Sequence, residues 1–187
     1  MPEPRNPDQV AMNTLECVAR EHLRIVAAGD ERAIAANVTT DYLNHRSADE
    51  PLAARQRGPA GLQGTIRWLH RAFTDLRFEY HEAVITGDRV ALYVTLHGRQ
   101  HGPFVVHDSP AAHVTDVFPA TGRTFAAKQT HWFTIVDGAV AEHDAVRDDL
   151  AMAKQLGWIP PKPGYIIRML LAIRAERRAL RNVAPSR

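Results

Sequence analysis

The sequence predicts an α+β fold: a cone-shaped roll in which a curved, mostly antiparallel sheet wraps N-terminal helices, with a C-terminal helical extension. Three observations lead there. Apolar residues follow helical spacing through the first part of the chain, and period-two alternation takes over from Leu76. Asp137-Gly138 then stands between two runs rich in β-branched and aromatic residues, the strongest short-range hairpin signal. Helices followed by a run of strands is the α+β order, and a bent sheet around a helix leaves an apolar pocket suited to a small molecule.

Residues 1–7, rich in proline and charge, read as a loose arm. Val10, Met12, Leu15, Val18, Leu23, Val26 and Ala27 give the first helix, stopped at Gly29. A short helix near Glu31 to Asn37 leads to an extended piece, Tyr42-Leu43-Asn44-His45, and Pro51 to Pro59 is a polar loop. Gly61 to Phe73 is the third helix, with Leu62, Ile66, Trp68, Leu69 and Phe73 as apolar positions. Strands are expected over Leu76–Ile85, Arg89–Leu96, Phe125–Val136 and Ala139–Val146, with Gly87-Asp88 turning the first pair. Gly102 to Gly122 is a long irregular segment, of the kind that often covers a site. Leu150 to Leu156 is helical, with Asp148 or Asp149 as its cap, and Pro160 to Gly164 is a stiff linker. Tyr165 to Leu180 closes the chain as an amphipathic helix. The expected division is a cone domain over 8–158 and a linker plus basic helix over 159–187.

Composition narrows the function classes. A chain of 187 residues with 45% hydrophobic and 24% charged residues is an ordinary globular length and balance. The net charge of +2 gathers at the end, where Lys162, Arg168, Arg174, Arg177, Arg178, Arg181 and Arg187 face Glu176 alone. The body is therefore slightly acidic, and nucleic acid is not an expected partner. One cysteine, Cys17, fits a reducing cytoplasm, and no signal peptide or membrane-spanning run is visible. The final helix has a basic amphipathic character, but docking on its own domain or on a second copy is the commoner use of such a helix than a membrane surface. A homodimer is expected.

The hairpin carries ionisable groups where a structural strand would carry Val or Thr: His131, Glu142, His143 and Asp144. Register decides which of them meet. A two-residue loop pairs Val136 with Ala139 and sets His131 opposite Asp144. A three-residue loop pairs Ile135 with Ala139, sets His131 opposite His143 and stacks Phe133 on Ala141; this is the preferred register. Asp144, His131 and His143 are the candidate catalytic residues, because a carboxylate beside an imidazole can move a proton near neutral pH. Asp144 reaches that face through a β-bulge near His143 or the two-residue register. Trp68 and Trp132 are aromatic candidates for substrate binding, Trp68 having equally the spacing of a core residue. His97, His101, His107 and His113 lack diagnostic ligand spacing, so no metal is expected.

Several short motifs carry a family resemblance: Ala72-Phe73-Thr74-Asp75-Leu76-Arg77-Phe78, Gly87-Asp88-Arg89-Val90, Gly98-Arg99-Gln100-His101-Gly102, Asp137-Gly138 through Glu142-His143, and Gln155-Leu156-Gly157. In order and spacing they resemble the SnoaL-like polyketide (ester) cyclases of the nuclear-transport-factor-2-like superfamily, over roughly Thr14 to Gly157. The resemblance implies a cone fold and a hydrophobic, oxygenated substrate. It also implies cofactor-independent acid/base chemistry next to a carbonyl that forms a carbon–carbon bond within one molecule. It places His131, His143, Tyr42 and His45 at the pocket and His101 at its mouth. The family's last strand typically reads Glu-His-Trp-Asp, with that Asp as the acid/base; here Glu142, His143, Asp144 and Ala145 stand there. Ala145 keeps open a non-catalytic binding protein, and the shared fold leaves room for hydrolytic or hydroxylating chemistry.

Overall fold

Helix α1 (Pro7–Ala28) buries Ala19, Leu23 and Val26 against Val90, Leu92 and Val94 of one strand and Phe133 and Ile135 of its neighbour. The computed structural model describes the backbone of residues 7–183 and side chains from 14 to 181. The arm expected over residues 1–7 lies outside the described residues, apart from Pro7, which opens α1. After a four-residue helix α2 (Ile34–Asn37) come strand β1 (Val38–Asn44), two short 3-10 turns (Ser47–Asp49 and Leu52–Arg55) and α3 (Pro59–Ala72). The strands β2 (Phe73–Thr86) and β3 (Arg89–Gln100) follow, then β6 (Thr124–Val136) and β7 (Ala139–Arg147), once an intervening pair, β4 (Phe104–His107) and β5 (Val114–Phe118), has been made.

The main sheet has the order β1-β7-β6-β3-β2, with β1 parallel to β7 and every other pairing antiparallel. Register shifts in β2, between Thr74 and Arg77 and between Tyr80 and Glu82, are irregularities of the kind that bend a strand. The curved sheet wraps α1 and α3 to give the expected cone. One expectation is corrected: the 102–122 segment is not irregular. Its prolines (Pro103, Pro110 and Pro119) flank two short strands that pair as a separate hairpin, and that hairpin closes the wide end of the cone. Strands this short, between prolines, carry too little alternation to be read from sequence.

Helix α4 (Asp149–Leu156) starts where the Asp148 carboxylate accepts from the Ala151 amide at 2.9 Å, and ends at Gly157 in the left-handed region. Trp158 then stacks between Phe118 and Phe104, at 4.4 and 5.4 Å between ring centroids. Helix α5 (Pro163–Val183) packs Ala172 and Ile173 on Val105, Val114 and Val117 of the β4–β5 hairpin. Arg177 donates to the Val114 carbonyl at 2.8 Å and the Tyr165 hydroxyl to the Pro119 carbonyl at 2.9 Å. No described helix is long and apolar enough to cross a membrane.

Cutting the chain after Pro160 removes the cover from three buried valines, each worth roughly 1 kcal/mol when partly re-exposed. A loss of about 3 kcal/mol corresponds to a melting temperature lower by roughly 6 °C or more for a chain of this size. Scanning calorimetry of the truncated chain checks it; an unchanged midpoint would mean that α5 lends the cone no stability.

Candidate active site

The cone encloses a cavity of about 270 Å³ between the α1 core and the aromatic cluster at its wide end. Leu23 and Val26 of α1, Leu62 and Trp68 of α3, and Phe73, Phe78, Leu96 and Phe125 of the sheet form its apolar walls. Phe104, Val106 and Phe118 of the hairpin, with Trp158, cover it. The polar groups that break this lining gather in two places, a histidine chain and a carboxylate corner.

The histidine chain follows from the β6–β7 turn. Asp137 (φ 50°) and Gly138 (φ 79°) both lie in the left-handed region, as a two-residue type I′ turn demands, and Val136 pairs with Ala139. The register then slips at Ala141, so that Thr134 faces Glu142, Phe133 faces His143 and His131 faces Ala145. Neither expected register survives the slip. Ahead of the bulge the inward residue is Val140; beyond it the inward set is His143, Ala145 and Arg147. Unbroken alternation from Val140 would have turned Glu142 and Asp144 inward instead. His131 and His143 still meet diagonally: His131 Nε2–H donates to Gln129 Oε1 at 2.8 Å, leaving His131 Nδ1 to accept from His143 Nε2–H at 2.9 Å. Burial, then the nearby charges of His22 and Arg147, lowers the His131 pKa to about 3. His143 is likewise held well below its ordinary value, by burial first and then by His131. The imidazoles are neutral, and both nitrogens of His131 are engaged with protein partners.

Asp144 is corrected by the same bulge. Its side chain is on the outer face opposite Trp132, where its carboxylate accepts from the Ala145 amide at 2.8 Å, while Ala145 lines the cavity. A carboxylate there has no route to a bound substrate. Trp132 also points outward, 44% exposed, and His45 is outside with its Nε2 at 3.3 Å from Glu142. These three share a shallow surface depression with Arg89. His101 is exposed and hydrogen-bonds the His70 carbonyl at 3.0 Å, away from the cavity. Tyr42 and Trp68 do line it; Trp68 donates its Nε1–H to the Val105 carbonyl at 2.8 Å and so joins α3 to the hairpin. His97, His107 and His113 lie apart, and among the described residues no group of three or more His, Cys, Asp or Glu converges as a metal site would.

Sequence reasoning missed His22, Gln129, Arg147 and Glu50, all of which line the cavity. His22 sits one turn from Val18 and Val26, on the apolar stripe of α1, and a polar residue on such a stripe is the sign that marks it. It donates Nδ1–H to Asn37 Oδ1 at 2.9 Å, because Asn37 gives its own amide hydrogen to the Val18 carbonyl. That leaves His22 Nε2 a bare acceptor, buried and without a hydrogen-bond partner among the described residues, and the hydroxyl of Tyr42 likewise has none among them. Burial lowers His22 to about 4 and raises Tyr42 above its usual range.

The carboxylate corner joins β1, α3, β7 and the 47–55 turns. Arg147, pointing inward from β7, is held by Asp49 at 3.2 Å and Asp149 at 3.4 Å. Glu50, 2% exposed, accepts from the Thr65 hydroxyl at 2.6 Å. The turn can sit this close because a Cβ on Gly61 would lie 1.9 Å from the Gln56 carbonyl oxygen, and one on Gly64 2.5 Å from the Ala53 carbonyl carbon. Two glycines three apart on a helix are the sign of that contact in the sequence.

Comparison with known proteins adds the lineage. The sequence profile of the SnoaL-like polyketide cyclases matches residues 16–156. The chain belongs to that family. It is 29% identical to the aklanonic acid methyl ester cyclase DnrD of Streptomyces peucetius over 156 residues, 81% of this chain and 97% of that one. It is also 29% identical to the aklanonic acid methyl ester cyclase DauD of Streptomyces sp. strain C5 over 150 residues, 78% of this chain and 83% of that one. Among solved structures, TsrD from Streptomyces laurentii superposes with a TM-score of 0.61 at 26% identity, covering 78% of this chain and 96% of that chain. This member of the SnoaL-like family thus keeps the cone and its pocket, with Ala145 on the cavity wall.

The buried imidazoles give a pH prediction. The folded pKa values of about 4 for His22 and about 3 for His131 lie below the unfolded value near 6.5, so below that pH the unfolded chain binds more protons. Stability is therefore lost as pH falls from about 6.5 towards 4, by up to roughly 1.4 kcal/mol per pH unit per histidine. Glu50 works the other way: its carboxyl, raised to about 7, contributes stability at low pH that is lost as pH rises from about 4.5 through 7. The histidines outnumber it, so urea midpoints are expected to drop steadily from pH 6.5 to pH 5. A flat profile would mean the imidazoles are charged or solvated in the fold.

Proposed function

We propose that this protein is a polyketide ester cyclase that takes a hydrophobic, oxygenated ester of the aklanonic acid methyl ester kind and closes a ring within it. A proton leaves the carbon next to one carbonyl. The resulting enolate attacks a second carbonyl of the same molecule, and the new alkoxide takes a proton back. The sum is an isomerisation, which needs no cofactor. One observation carries the reading: at the apolar cavity of the cone, a donor (the Tyr42 hydroxyl) and an acceptor (His22 Nε2) are buried without partners among the described residues. Unpaired buried polar groups are unfavourable by about 1–3 kcal/mol each, and a substrate carbonyl and hydroxyl supply the missing partners. The Arg147 guanidinium at the same lining suits an oxyanion that develops during ring closure.

Ala145 favours a second reading, a binding protein that keeps the pocket without the reaction. Incubation with aklanonic acid methyl ester separates them. A product of unchanged mass supports the cyclase, added water or oxygen indicates hydrolysis or hydroxylation, and binding without conversion indicates the second reading. Tyr42→Phe is expected to raise KM roughly tenfold, the loss of about one hydrogen bond, with the melting temperature of the free protein held or raised.

We also read residues 8–158 as the catalytic unit and 159–187 as an appended element that pairs two copies. Ile167, Leu170 and Leu171 stand 61, 53 and 57% exposed on the outer side of α5, an apolar strip that a second copy suits. Leu170→Glu together with Leu171→Glu is expected to convert a dimer to a monomer in sedimentation velocity; a wild-type monomer would end that reading. A cytoplasmic location rests on the single cysteine, Cys17, and the lack of a crossing helix among the described residues.

A further inference from the structure

We propose that Glu50 is the acid/base carboxylate of this cavity, performing from the 47–55 turns the proton transfer that Ala145 cannot perform from β7. The inference rests on the cyclase reading above. Of the carboxylates lining the cavity, Asp49 and Asp149 are engaged by Arg147, and Asp149 also accepts from Arg46 at 3.3 Å. Glu50 instead accepts from neutral donors, the Thr65 hydroxyl of α3 at 2.6 Å and the side chain of Asn44 on β1. Those donors orient the carboxylate without fixing its charge, which is what a group that must both take and return a proton needs.

The main chain around it is clamped. The Glu50 amide donates to the Ser47 carbonyl at 3.1 Å, and Arg55 Nε donates to the Glu50 carbonyl at 2.8 Å. Behind it, Gly61 and Gly64 let the turn press on α3. The side chain is thus positioned on rigid support although it comes from a connection between elements. Its position relative to β7 also fits: Ala145 and Arg147, neighbours on the inward face of that strand, line the same cavity, and Arg147 is close enough to act on Glu50 electrostatically.

The charges around Glu50 decide its working range. Burial pushes its carboxyl up, the Thr65 hydrogen bond and Arg147 pull it down, Asp49 raises it and Asn44 lowers it, for a value of about 7. Tyr42, from β1, faces it as a neutral phenol. At neutral pH the ionised and protonated forms are both well populated. The ionised form takes a proton from the carbon next to the substrate carbonyl, and the C–H electron pair becomes the enolate. That enolate forms the new carbon–carbon bond as the second C=O π bond breaks, and the neutral Glu50 carboxyl returns its proton to the alkoxide. No atom or electron is gained or lost.

The test is Glu50→Gln in the full chain, assayed with aklanonic acid methyl ester. The variant keeps size and an acceptor for Thr65, so kcat is expected to fall by roughly a hundredfold or more with KM within about threefold. Ala145→Asp in the Glu50→Gln background, which restores a carboxylate on β7, is expected to recover part of kcat. A companion variant serves if Glu50→Gln folds poorly: Thr65→Val removes a hydrogen bond to the charged form, so the acid limb of kcat/KM is expected to move to higher pH. A Glu50→Gln variant as active as the wild type, or a Thr65→Val limb that stays in place, overturns the Glu50 assignment alone. A wild-type protein that leaves the ester unconverted overturns the cyclase reading, and the Glu50 assignment falls with it.

Discussion

A cavity walled by hydrocarbon tolerates a polar group only if it is neutral or closely paired, and the interior of this cone is arranged around that constraint. Each ionisable side chain meets it differently. Arg147 sits between Asp49 and Asp149. His131 and His143 stay uncharged and satisfy each other, with Gln129 ending the chain. Glu50 forms no direct ion pair among the described residues and is buried, so the constraint falls on its proton affinity. The Tyr42 hydroxyl and His22 Nε2, without partners among the described residues, depart from that rule.

The second determinant is one extra residue. The bulge at Ala141 exchanges the two faces of β7, and with them the chemistry of the cavity wall. It presents His143, Ala145 and Arg147 to the interior and leaves Glu142 and Asp144 to solvent. With no carboxylate on the inward face of the last strand, the cavity's carboxylates include Asp49 and Glu50 from the segment between β1 and α3. The glycines of α3 and the 3-10 turns become part of the site through that segment.

Much of the cone could be read from the residues. Helical spacing through Leu23 and Val26, the change of period at Leu76 and the Asp137-Gly138 turn each report a local preference that the packed structure keeps. The family's motifs located His131, His143 and Tyr42 at the pocket. What stayed hidden depends on non-local geometry. A bulge leaves no mark in the alternation of a strand whose two faces both carry polar residues, so Asp144 and Ala145 exchanged roles unseen. Glu50 reads as loop polarity because its burial is imposed by a helix that follows it and a strand almost a hundred positions later. The β4–β5 hairpin is concealed by its own brevity, and its pairing with α5, a helix the spacing does announce, by their distance along the chain.

The hairpin that covers the cavity is held from both sides. Trp158 lies between its aromatic rings, and α5 grips its outer strand through Arg177 and Tyr165. The cover is therefore stiffened by a helix that contributes no residue to the cavity lining. A change on α5 that loosens the hairpin is therefore felt at the cavity through its cover. Residues that a comparison of pockets would pass over thus bear on the shape of the cavity.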